Sequence, residues 1–198
     1  MATAILHLYA LALGSNRALS ARLTPRRLLV EATARIAQHG RVIAISPTIE
    51  TPPIGPSRRR YANAALLVQS PLAPPAMLAW LQSIERALGR RRYRRWGARS
   101  IDIDIILWSG GAWDSPALTI PHPAFATRDF VLTPLYSIAP TWRDPRSGLN
   151  VRHLRARLQK ASQSMPQEVD HPRRPSRASA PKQLGSIAQS VEQLTFNQ

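Results

Sequence analysis

Ser100-Ile101-Asp102-Ile103-Asp104-Ile105-Ile106-Leu107-Trp108 alternates apolar and acidic residues through its first half. A β-strand turns successive side chains to opposite faces. Ile101, Ile103 and Ile105 therefore share one face, and Asp102 and Asp104 share the other. Two residues of strand rise set these carboxylates about 7 Å apart. Such a pair repels itself unless positive charge lies between its members. Seven arginines stand in the fourteen residues from Arg86 to Arg99: Arg86, Arg90, Arg91, Arg92, Arg94, Arg95 and Arg99. An acid pair beside a basic cluster suits Mg²⁺ held by carboxylates, with a polyphosphate held jointly by metal and guanidinium.

Upstream of this strand, Ala4–Leu13 reads as a buried strand that ends in the turn Gly14-Ser15-Asn16. Thr24-Pro25 forms a helix start, with Thr as N-cap and Pro in the first turn. Leu28, Leu29, Ala32 and Ile36 form its apolar stripe, and Gly40 ends it. Val42–Ile49 alternates as a second strand. Residues 51–60 carry three prolines, a glycine and three consecutive arginines, and read as a loop. Tyr61–Gln69 is a third strand. A helix from Pro74 carries Met77, Leu78, Leu81, Ile84 and Leu88 on one side and stops at Gly89. Arg90–Arg99 is too charged for a core element and reads as an exposed loop.

Downstream, Leu118–Ile120 reads as a short strand, and Phe130–Ile138 as a helix interrupted early by Pro134. Asn150 caps a last helix with Val151, Leu154 and Leu158 on one side. The order β-α-β-β-α-β followed by a helical appendix predicts an α+β, ferredoxin-like sandwich. Helices would pack on one face of a four-stranded sheet, leaving the opposite face for a site. The expected domain runs over residues 1–159. Residues 160–198 lose apolar periodicity and read as a disordered tail. Their last stretch, GSIAQSVEQLTFNQ, resembles a translated tRNA gene and reads as read-through sequence.

Composition narrows the function classes. The 198 residues carry a net charge of +16, and 25 of the 27 basic residues are arginine. Arg matches phosphate oxygens bidentately, so the charge points to an anionic ligand; an Arg-rich codon bias is the alternative for the global excess. No cysteine is present and the five histidines lack ligand spacing, which excludes thiolate metal sites and argues against catalytic zinc. The apolar N-terminal stretch ATAILHLYALALG reads as a core strand or as the apolar part of a signal peptide; no basic residue precedes it, which favours the strand. It is too short to cross a bilayer, and the expectation is a cytoplasmic protein without membrane contact.

Six motifs stand in one order: LALGSN (11–16), TPPIGP (51–56), YANAAL (61–66), QSIE (82–85), RWGARSIDIDIIL (95–107) and IPHPAFATRDFVLTPLYSIAP (120–140). On these the chain closely resembles the 6-hydroxymethyl-7,8-dihydropterin pyrophosphokinases of folate biosynthesis, over roughly residues 4–158. The resemblance implies a ferredoxin-like fold and transfer of pyrophosphate from ATP to the hydroxymethyl group of the dihydropterin with release of AMP; a monomer is expected. It implies Asp102 and Asp104 as ligands of two Mg²⁺ ions. It places Arg90, Arg92 and Arg99 in the catalytic machinery, with Arg90 and Arg92 on a loop that closes over the triphosphate. This loop is one residue shorter than in some relatives, so roles within Arg90-Arg91-Arg92 shift by one position at most.

The same resemblance assigns Thr51, Pro52, Ile54, Tyr61, Asn63, Trp96 and Phe130 to the pterin. A flat heteroaromatic ring gains from stacking between Tyr61 and Phe130, and the Asn63 carboxamide offers a donor and an acceptor to the pterin amide edge. Gln82, Glu85, Arg95, Arg99, Ile105, His122 and Arg128 are implied for ATP. Gln82 and Glu85 lie three apart on one helix face, and Glu85 reads equally as an ion-pair partner of the arginine loop. Pro123 stands where some relatives have tyrosine, and Gly14-Ser15-Asn16 reads mainly as architecture. Two other readings compete: an RNA-binding module, disfavoured because acids rather than aromatics occupy the key strand, and an inactive ligand-binding relative, disfavoured because acids and loop arginines are intact.

Overall fold

In the computed structural model of the protein, residues 5–53, 59–90 and 100–164 are described. Of the expected site residues, Ile54, Arg92, Arg95, Trp96 and Arg99 lie outside them, as does all but the start of the expected tail.

β1 (His7–Ser15) alternates large and small residues and forms the centre of a five-stranded sheet. It pairs antiparallel with β4 (Tyr61–Ser70) on one side and with β5 (Asp102–Trp108) on the other. Beyond β4 lie β2 (Arg41–Ile45) and β3 (Ile49–Thr51), both antiparallel to it. The sequence suggested one strand over 42–49. Pro47 has no N–H to continue a ladder, and the chain breaks there. Ser46 bridges the break: its N–H reaches the Ala65 carbonyl, and its Oγ accepts the Ala65 N–H at 2.8 Å.

Two helices pack on one face. α1 (Pro25–Ala37) starts as expected, with Thr24 Oγ1 accepting the Arg27 N–H. α2 (Pro74–Ala87) ends before Gly89, whose φ of +77° is the left-handed conformation that favours glycine. Their buried residues Leu28, Ile36, Met77 and Leu81 meet Tyr9, Leu11, Leu13, Leu66, Ile103 and Ile105. This is the core, and its strand residues follow period two. Leu66 is fully buried in it. Leu66→Ala is expected to lower unfolding stability by about 2–5 kcal/mol, measured by urea denaturation; a loss below ~1 kcal/mol would contradict this packing.

The second face is not left free, contrary to expectation. α3 (Asp129–Ile138) and α4 (Val151–Ser164) cover part of it through Val131, Leu132, Leu135, Val151 and Leu154, against Ala10, Ala65, Leu67 and Ile106. Small β1 side chains on this face let α3 approach. α3 runs through Pro134 without a break, and its Pro134 is buried. Asn150 caps α4 as expected, its Oδ1 accepting the His153 N–H at 2.9 Å. α4 continues to Ser164, past the expected domain end at 159. A hairpin of β6 (Trp113–Ser115) and β7 (Leu118–Ile120) was expected only in its second strand. No helix among the described residues is long and apolar enough to cross a membrane.

Candidate active site

The site is set by sheet register. Directly paired residues of antiparallel strands project to the same face. Gly14 pairs with Asn63 of β4 and with Asp102 of β5; Ala12 pairs with Ala65 and with Asp104. Asn63, Gly14 and Asp102 thus form one row across three strands, about 10 Å from β4 to β5. Asp102 and Asp104 are half-buried and face away from Ile101, Ile103 and Ile105, as their alternation required. Gly14 and Ala12 form the floor between the carboxamide and the acids. A Cβ built on Gly14 would lie 3.4 Å from Asn63 Oδ1. Reading Gly14 mainly as a turn missed this floor. The signal was present in β1: Tyr9, Leu11 and Leu13 alternate with Ala10, Ala12 and Gly14.

Positive charge lies where the acid pair demanded it. Arg90 is not an exposed loop residue. It is half-buried, and its Nη1 contacts Asp102 Oδ1 at 2.7 Å and also Glu85 Oε1. Glu85, at the end of α2, is 3% exposed, and its Oε1 also accepts the Ile103 N–H at 2.7 Å. Ile103 is the residue between the two acids, so Glu85 ties α2 to β5 where the acid pair stands. Burial raises the Glu85 pKa against the opposing hydrogen bonds from Arg90 and Ile103. Burial also opposes the charge on Arg90, but the hydrogen bond to Glu85 and the charges of Asp102, Glu85 and Asp104 outweigh it and hold Arg90 protonated.

His122 follows the cis Ile120–Pro121 peptide and is held to β5 by its N–H on the Ile106 carbonyl, at 3.1 Å. Its Nδ1 accepts the Ala124 N–H at 3.2 Å. The ring proton of the neutral form is therefore on Nε2. Burial and then the Arg128 charge lower its pKa; a backbone hydrogen bond and Asp102 act the other way. At neutral pH His122 is an uncharged donor. Arg128 stands before α3 with its guanidinium 5.7 Å from the Phe130 ring centroid.

At the Asn63 end of the row, Tyr61 shares the Asn63 face by alternation along β4, and Phe130 packs against the cluster on that same face. Thr51 of β3 is joined to Asn63 by a hydrogen bond from Nδ2 to Oγ1 at 2.9 Å. Pro52 follows Thr51 and is exposed. Gln82 is half-buried, one turn before Glu85. Ile105 is not brought to the site: its side chain is 3% exposed within the α1–α2 core, which leaves only its backbone for a ligand. At the far end of β1, Ser15 Oγ donates to the Ser100 carbonyl and ties that strand end to the entry of β5.

The acid pair suits Mg²⁺. That ion takes one or two carboxylates and completes its shell with water and phosphate oxygens. Arg90 already places a cation against Asp102, and among the described residues no group of three or more His, Cys, Asp or Glu forms an all-protein cage.

Fold and site together define a class: an antiparallel α+β protein carrying an acid pair, an arginine paired with it, and amide and aromatic side chains along one sheet face. Residues 10–140 match the family 7,8-dihydro-6-hydroxymethylpterin-pyrophosphokinase (HPPK), and the chain belongs to that family. A Pseudomonas aeruginosa relative, 2-amino-4-hydroxy-6-hydroxymethyldihydropteridine pyrophosphokinase, is 38% identical over 138 residues, 68% of this chain and 82% of its own. A Porphyromonas gingivalis protein of the same name is 39% identical over 144 residues, 69% of this chain and 93% of its own. A Synechocystis one is 42% identical over 100 residues, and there the chain spans only 51% of the relative's length. A crystal structure of an HPPK-DHPS in complex with substrates shares the fold with a TM-score of 0.62 at 14% identity, covering 79% of this chain and 44% of that one.

Proposed function

We propose that this chain transfers pyrophosphate from ATP to 6-hydroxymethyl-7,8-dihydropterin, yielding AMP and the pterin diphosphate. The observation that carries this reading is the Asn63–Gly14–Asp102 row. It puts a carboxamide suited to a pterin and a carboxylate suited to metal-borne phosphate at opposite ends of one trough. We read the core strand order β2-β4-β1-β5 and the two helices on one face as ferredoxin-like. We also read the protein as a cytoplasmic monomer.

In this reading Asn63 holds the pterin edge, with Tyr61 and Phe130 against the ring. The substrate hydroxyl then points along the floor of Ala12 and Gly14 toward the acids. Its oxygen attacks the β-phosphorus, the bond from that phosphorus to the α-phosphate oxygen breaks, AMP leaves, and the hydroxyl proton passes to solvent. Asp102 and Asp104 would hold two Mg²⁺ ions, which when bound neutralise the triphosphate and polarise the β-phosphorus. Arg90 holds the counter-charge beside Asp102 before a ligand arrives, and is placed to meet phosphate oxygens as they enter. His122 offers its Nε2–H and Arg128 its guanidinium to the same anion, with Gln82 on the nucleotide side. Glu85 acts through Arg90 and Ile103 rather than on the nucleotide. The family resemblance alone assigns Arg92, Arg95 and Arg99 to the phosphates, and Ile54 and Trp96 to the pterin; all five lie outside the described residues. No strong general base is required, because phosphoryl-type transfer depends mainly on alignment and charge neutralisation.

The test is direct. Purified protein with ATP, Mg²⁺ and the dihydropterin should release AMP and pterin diphosphate in equal amounts, and omission of the pterin should stop AMP formation. Release of ADP, or no pterin-dependent AMP, would overturn the reading.

A further inference from the structure

We infer that Arg155, on α4, is a positioning residue for Phe130: it holds the first turn of α3 through the Thr133 hydroxyl and the Asp129 carboxylate. This deepens the pterin reading above and rests on it. Asp129, Thr133 and Tyr136 stand at i, i+4 and i+7, so they line one face of α3. Arg155 lies along that face. Its Nε donates to Thr133 Oγ1 at 3.1 Å, and its guanidinium stands 4.8 Å from the Tyr136 ring centroid. Thr133 Oγ1 in turn donates to Asp129 Oδ1 at 2.9 Å. The ends of this relay fix its direction. A guanidinium only donates and a carboxylate only accepts, so the hydroxyl between them does both. Asp129 is the first residue of α3 and the direct neighbour of Phe130.

The backbone alone holds this turn incompletely. Pro134 has no N–H to offer the Phe130 carbonyl four residues before it. Arg155 and Thr133 supply bonds from outside the helix ladder at that point. They fix how α3 is turned about its axis, and with it where the Phe130 ring stands. Arg128, whose guanidinium lies 5.7 Å from that ring, flanks the same turn. Its long side chain can follow a ligand through a small backbone shift. The Phe130 ring is set by two torsions and moves with the backbone, so a loosened relay acts on the ligand of the ring and spares the nucleotide. α4 lies beyond residues 10–140, which match the family, so the outer end of the relay stands outside the matched segment. Arg155 acts without touching the reacting atoms.

Thr133→Val keeps the shape and breaks the relay at its middle, and Arg155→Met keeps an apolar stem and removes the guanidinium. Leu158→Ala is the control, because it loosens α4 against the same cluster without touching the relay. Each full-length protein would be titrated with a non-hydrolysable ATP analogue and Mg²⁺, then with 6-hydroxymethyl-7,8-dihydropterin at saturating analogue, beside a thermal melt. Either relay variant is expected to weaken dihydropterin binding about fivefold, the order of one hydrogen bond, and to leave analogue binding unchanged. The double variant should weaken it no further, because both changes break one series of bonds. Leu158→Ala should lower the melting temperature and leave dihydropterin binding intact. Unchanged dihydropterin binding in both relay variants would overturn the inference. So would equal weakening for both ligands, an equal loss in Leu158→Ala, or a double variant whose loss is the product of the two single ones. Each of these results leaves pterin-dependent AMP formation by the parent protein standing. A parent protein that binds no dihydropterin would instead overturn the functional reading itself.

Discussion

Asp104→Ala is expected to lower kcat by about 10³-fold or more, with the fold intact. The reason is positional. Asp104 lies on the ligand face of β5, opposite Ala12, while the apolar residues on either side of it serve the core. In the proposed mechanism, removing its carboxylate takes away one of the two acids that would hold Mg²⁺, and it leaves the packing of Ile103 and Ile105 in place. Loss of a single preorganised electrostatic group commonly costs 10²–10³ in rate, and a ligand of the activating ion belongs at the upper end or beyond it. The measurement is pterin-dependent AMP release at saturating ATP and Mg²⁺, beside a thermal melt. A variant that melts like the parent and turns over normally would remove Asp104 from the mechanism. One that fails to fold would show that the site face contributes more to stability than its half-buried acids suggest.

Glu85→Ala is expected to act on stability and activity together. Its carboxylate serves Arg90 and the Ile103 N–H at once. Deletion leaves a buried backbone donor without its acceptor and a half-buried guanidinium with one carboxylate fewer. Breaking a buried pair costs about 3–5 kcal/mol. Arg90 keeps Asp102, so a loss of about 2–4 kcal/mol is expected here. Glu85→Gln retains an oxygen for Ile103 and should recover about half of that loss. Urea denaturation at neutral pH gives both values. Turnover should fall in both variants, more in Ala, where Arg90 and the strand between the acids lose their common anchor, than in Gln, where only the charge on Arg90's partner is lost. An alanine variant as stable as the parent would show that this carboxylate is not holding α2 to β5.

How much of this was legible in the chain varies by element. The face assignment of Asp102 and Asp104 was legible because alternation in a strand is a local property, and so were the Thr24 and Asn150 caps. Pro47 was a visible break signal inside an otherwise regular alternation, and the pattern of Val42–Ile49 masked it. The small residues of β1 were visible too, but their meaning depends on which strands lie beside them. Arg90 was not legible: nothing local distinguishes it from Arg91 or Arg92, and its two acidic partners come from α2 and from β5. The covering of the second face by α3 and α4 depended likewise on packing between distant segments.

The sequence by itself determined most of the elements, the acid face of β5 and the excess of arginine beside it, because propensity, periodicity and charge belong to neighbouring residues. Only the tertiary structure decided that Asn63, Gly14 and Asp102 form one row, that Glu85 and Asp102 share Arg90, and that Asn63 donates a hydrogen bond to Thr51. Those relations depend on strand register and on a helix end meeting a strand, and both arise from long-range packing that no local stretch of chain encodes.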